Sequence, residues 1–127
     1  MMSGVKRYVP ACLAGALAVS IGAIAYADAS NRIAFKDRVR LNVGQAMIVH
    51  GHRGECGQLP TQARMKRSAE RINAALTTGR VQHGKPGVRR SGACNGDTPA
   101  VELIFVATSP GRERVEVFGD EILFIVR

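Results

Sequence analysis

The chemistry-bearing residues of this chain gather around His50-Gly51-His52. On an extended strand successive side chains alternate, so His50 and His52 point to one face, an arrangement that suits a shared copper or zinc ion. Glu55 and Cys56 follow closely, and His83 is the third imidazole. Two imidazoles alone are an incomplete site, because stable zinc and copper sites take three or four protein ligands. Met47 and Val49 alternate with the pair, so the histidines are expected on the solvent face. A metal site at His50 and His52 is set against a simpler reading as exposed polar residues at a strand end.

The second candidate is a basic patch. Net charge is +8, and it is unevenly spread. Residues 53–90 carry nine basic and two acidic side chains, whereas residues 91–127 carry three and six. Arg64, Lys66, Arg67, Arg71, Arg89 and Arg90 form the candidate surface, extended by Arg80 and Lys85. Guanidinium groups suit bidentate contacts to carboxylate or phosphate. The competing reading is a solvated surface in an arginine-rich chain.

Nucleophilic and acid–base catalysis find little footing. Ser30, Ser68, Ser91 and Ser109 lie in no Gly-x-Ser-x-Gly elbow. Asp120 and Glu121 are adjacent, so on a strand they point apart and make no glycosidase pair. A cysteine nucleophile would need Cys56 or Cys94 unpaired. No P-loop or dinucleotide fingerprint occurs, and tryptophan is absent. The expectation is a protein that is not an enzyme and carries no cofactor.

Residues 1–27 read as a secretory signal peptide. Lys6 and Arg7 precede an uncharged run that closes on Ala25-Tyr26-Ala27 before Asp28, the small-x-small pattern of a cleavage site. An uncleaved anchor would favour leucine over this Ala/Gly-rich run, and Cys12 lies too close to Arg7 for a lipoprotein cysteine. Cleavage after Ala27 removes Cys12. It leaves Cys56 and Cys94 as an even pair in an oxidising compartment, hence a disulfide. The expected location is periplasmic or extracellular, with no membrane span after cleavage. Nucleic acid is then an unsuitable partner, and a protein or an anionic envelope component a better one. Oligomeric state is not fixed by any of these features.

These residues must be positioned by a single domain over 28–127. Arg38–Val43 alternates, with Val39, Leu41 and Val43 on one face, and after Gly44 a second strand runs to His52. In Pro60–Leu76, Met65, Ala69, Ile72 and Leu76 recur at helical spacing with Thr61 as a cap, predicting an amphipathic helix rather than the alternative long polar loop. Gly79–His83 reads as a short strand and the rest of 77–98 as loop. Val101–Ala107, Arg114–Val117 and Ile122–Val126, punctuated by Ser109-Pro110-Gly111 and Gly119-Asp120, read as an antiparallel meander. The last run is apolar on both faces and belongs centrally or between two layers.

Gly79-Arg80-Val81, Cys94-x-Gly-x-Thr98-Pro99-Ala100, the strand that follows, Ser109-Pro110-Gly111 and the final apolar strand together resemble bacterial immunoglobulin-like domains of the cadherin-like repeat type, over residues 77–127. The resemblance implies a β-sandwich with an adhesive or structural habit. The acidic turns that bind calcium in that family are missing, so calcium is not carried over. His50-Gly51-His52 with Cys56 also resembles a short stretch of copper/zinc superoxide dismutases, without that family's bridging histidine or acidic ligand. The fold expected is mainly β: a small immunoglobulin-like antiparallel sandwich with one short helix or long loop inserted, stapled by Cys56–Cys94.

Overall fold

A computed structural model describes residues 28–127; the signal peptide assigned to residues 1–27 lies outside them. Alternating apolar residues build most of the chain into strands. In chain order these are β1 (Arg38–Leu41), β2 (Ala46–Arg53), helix α1 (Gln62–Ala75), β3 (Gly79–Ser91), a short 3-10 turn (Gly92–Cys94), β4 (Gly96–Ala107), β5 (Gly111–Val117) and β6 (Asp120–Val126). Two three-stranded sheets result, ordered β1-β6-β5 and β2-β4-β3. All neighbours are antiparallel except β1, which runs parallel to β6.

Val49, Val81, Leu103 and Phe105 from one sheet and Val39, Val115, Val117, Ile122 and Phe124 from the other form a single core. The doubly apolar C-terminal run is the central strand of its sheet, as its composition predicts. Helix α1 closes the core with Ile72 and with Leu76, just past its end, while Met65 and Ala69 are half-buried. Its first turn is capped as predicted: the Thr61 hydroxyl accepts the Arg64 N–H at 3.2 Å. Cys56 and Cys94 are disulfide-bonded, with Cα atoms 5.5 Å apart.

Three expectations are corrected. The last three strands are not one meander. The chain leaves β4 at Ala107 and crosses to the other sheet, where only β5 and β6 pair. Thr108 and Ser109 both donate their N–H groups to the Thr78 carbonyl, which anchors the crossing. The loop expected after His83 is instead the second half of a 13-residue strand. Gly84 and Lys85 form a bulge, with His83 opposite Leu103 and Pro86 opposite Val101. A side chain at Gly84 would meet the Glu102 carboxylate, which accepts the Lys85 N–H at 2.9 Å. Val43, expected inward, is 47% exposed because β1 stops at Leu41 and Asn42–Gln45 turns.

Candidate functional site

The position of the histidines follows from an irregularity in β2. Ile48 pairs with Ile104 and His50 with Leu103, so Val49 is an extra residue without its own partner. A bulge shifts the inside–outside parity of the strand beyond it. Val49 and His50 are both buried as a result, and His52 follows His50 inward. His50 is 1% exposed and His52 5%, which overturns the solvent-facing assignment. Lys36 donates its N–H to the carbonyl of the bulged Val49 at 2.9 Å.

Each imidazole has distinct partners. His50 Nδ1 accepts the Gly51 N–H at 2.8 Å, which assigns the ring proton to Nε2, and Nε2–H donates to Asp120 Oδ2 at 2.9 Å. Both ring nitrogens are therefore spent. Burial holds the His50 pKa below its ordinary value, and the nearby Arg89 charge adds to this, against the opposing effect of Asp120. His52 Nδ1 and His83 Nε2 stand 2.9 Å apart and share one proton. Burial, followed by the charges of His83, Arg64, Arg71 and His50, lowers His52 to about 4. His83 is likewise lowered by burial.

Phe118 locks this group. It forms the two-residue β5–β6 loop with Gly119, at φ +53° and +87°, the paired positive angles of a type I′ hairpin. A non-glycine residue there costs roughly 1–2 kcal/mol. The bend lays the Phe118 ring on His52, with centroids 4.2 Å apart and planes 16° from parallel, and sets it at 64° to the His50 ring with centroids 5.3 Å apart. Phe35 meets the His50 ring at 4.7 Å. Among the described residues no three His, Cys, Asp or Glu side chains stand together as metal ligands. His50 and His52 turn to separate partners, and Cys56 is bonded to Cys94.

The predicted basic patch divides in two. On α1, Arg64 approaches Glu55 at 3.7 Å and Lys66 pairs with Glu70 at 2.9 Å. Arg67 and Arg71 are exposed and make no ion pair among the described residues. Arg71 and Arg114 flank a pocket of about 470 Å³ between α1 and β5, with Ile72, Ala75, Val115 and Phe118 in its wall. Arg89 and Arg90 belong to a different pocket, of about 320 Å³, with Arg32, Phe35 and His50. The two linings share no residue.

Sequence reasoning missed Asp120, Phe118, Phe35, Arg32 and Arg114. Only Phe118 left a local signal: Phe118-Gly119 between two alternating runs has the length of a tight hairpin loop. Against this geometry, no protein family, no curated protein and no solved structure matches the chain.

Proposed function

We propose that the chain is an exported, non-enzymatic binding module that meets an anionic partner through the outer face of α1. The observation that carries this reading is the exposed Arg67 and Arg71, unpaired among the described residues and flanked by Arg64 and Lys66. Arg114, which approaches Glu121 at 3.7 Å, lies across the pocket between α1 and β5, whose wall also holds Glu116. Side-chain cations left without carboxylates offer their charge to a partner with no internal pair to break.

The frame is an immunoglobulin-like sandwich, a reading supported by two sheets sharing one core. The Cys56–Cys94 bond is compatible with an oxidising location, periplasmic or extracellular, reached through the signal peptide. No helix among the described residues is long and apolar enough to cross a membrane. The metal-binding or redox alternative on His50 and His52 has less support, because both nitrogens of His50 are hydrogen-bonded.

Binding to immobilised dextran sulfate, at low and at high salt, tests the reading. The protein is expected to bind at low salt and release at high salt. Arg67→Ala with Arg71→Ala should weaken binding about tenfold, near 1 kcal/mol or less per removed cation. A double variant that binds like the parent, or a parent that does not bind, would refute it.

A further inference from the structure

Arg89 is a half-buried cation that pairs with no carboxylate among the described residues. It donates only to main-chain carbonyls: Nη1 to Gly51 and Nε to Arg90, each at 3.1 Å. The nearby Asp120 is held by His50. Burial, with Arg53 close by, lowers the Arg89 pKa against the opposing charge of Asp120. The chain makes room for this arrangement at Gly51, where a Cβ would lie 3.1 Å from Arg89 Cδ and 3.2 Å from the Ile33 side chain. A guanidinium taken from water with donors to spare is costly to keep unless an anion completes it.

The pocket around Arg89 indicates what kind of anion. Arg32 has its charge met by a two-point contact with Asp97, both bonds 2.9 Å, which leaves Arg89 as the half-buried cation without a carboxylate. Arg90 makes no ion pair among the described residues and lines the same space. Ile33, Ala34 and Phe35 supply apolar lining to the same pocket. Phe35, outside the named strands, leaves 43% of its surface exposed. His50, with both nitrogens engaged, presents ring surface only. About 320 Å³ suits a small molecule rather than a polymer.

We propose that this pocket binds a small organic oxyanion, its carboxylate or phosphate held by Arg89 and its ring laid against Phe35. The proposal uses no residue of the α1 surface, so either site stands if the other fails.

Calorimetric titration with benzoate, phenyl phosphate and inorganic phosphate tests it. At least one of the two ring compounds should bind, and the tighter one names the oxyanion. Arg89→Gln should weaken that compound about tenfold, the effect of losing a charged hydrogen-bond donor. Arg89→Lys, which keeps the charge, should weaken it less and serves where the glutamine variant does not fold. Phe35→Ala should weaken the ring compound about three- to tenfold, the range of an aromatic contact. It should leave inorganic phosphate unchanged. The proposal is overturned if neither ring compound binds, if Arg89→Gln or Arg89→Lys folds and binds like the parent, or if Phe35→Ala weakens all three alike. Binding lost on Arg67→Ala with Arg71→Ala instead would move the site to α1 and overturn it equally.

Discussion

The seam between the sheets and the surface of α1 treat polar side chains in opposite ways. In the seam, His50, His52 and His83 lie against Leu103 and Phe118, with hydrogen bonds to Gly51, Asp120 and one another. They hold the fold and stay uncharged, since burial lowers all three pKa values. On α1, Arg67 and Arg71 are charged, exposed and unpaired among the described residues. Buried polar groups are retained when satisfied, whereas exposed ones need no partner inside the chain. Function is therefore better sought among the arginines than among the histidines, although histidine is the richer residue chemically.

The disulfide offers the largest perturbation of this contrast. The 38-residue separation between Cys56 and Cys94 encloses α1 and all of β3, so the bond restrains the arginine surface and His83 but not β2. Cys56→Ser with Cys94→Ser should cost about 4 kcal/mol of unfolding free energy on the loop-entropy argument. Urea midpoints of the two proteins measure it. A loss well under half that figure would mean that packing of α1 and β3 alone fixes the enclosed segment.

Acid attacks the other region. A histidine whose folded pKa is about 4, against an ordinary 6.5, binds its proton more readily in the unfolded chain. Stability is then full above pH 6.5, falls as pH drops from 6.5 towards 4, and levels off below. The loss from His52 is on the order of 3 kcal/mol at its limit, and the lowered pKa values of His50 and His83 act with the same sign. Glu113 titrates in a separate window. Burial raises its pKa, but this is outweighed by hydrogen bonds from Thr78 and Thr77, so its contribution is present above the ordinary carboxylate pKa and lost below it. Urea unfolding at pH 7.5 and pH 5 isolates the histidines. His52→Phe should shrink the difference between the two midpoints, and a parent protein with equal midpoints would show that the seam is not desolvated as described.

Much of the surface side of this comparison was legible in the sequence, and little of the seam was. The face formed by Met65, Ala69, Ile72 and Leu76, the Thr61 cap and the exposed arginines opposite follow from helical spacing, which is local. The Cys56–Cys94 pairing needed only a count. The seam depends on the bulge at Val49, which no alternation encodes: read without it, His50 and His52 fall on the wrong face. The His50–Asp120 contact joins residues 70 apart, a distance over which pattern carries no information. The far half of β3 was hidden because Gly84, Pro86 and Gly87 imitate a loop. Their reasons are tertiary: Gly84 lies under Glu102, and Gly87 lies against the Asn31 backbone. Pro99, in a central strand, is tolerated because Val88 opposite it turns its N–H and C=O away, to Asn31 and Ile33.

The smallest effect separates two roles of one residue at the border of the regions. Phe118 both bears a left-handed backbone and stacks on His52. Phe118→Ala keeps the backbone strain and loses the ring, so it should destabilise the protein by about 2–3 kcal/mol, since the ring is only partly buried. Phe118→Asn loses the ring equally but tolerates the positive φ, and should be about 1 kcal/mol more stable than the alanine variant. The difference between these two variants, read from thermal midpoints, measures the strain alone. Were they equally stable, the hairpin would not be held open against its backbone preference, and the stacking on His52 would be a consequence of the turn rather than the contact that sustains it.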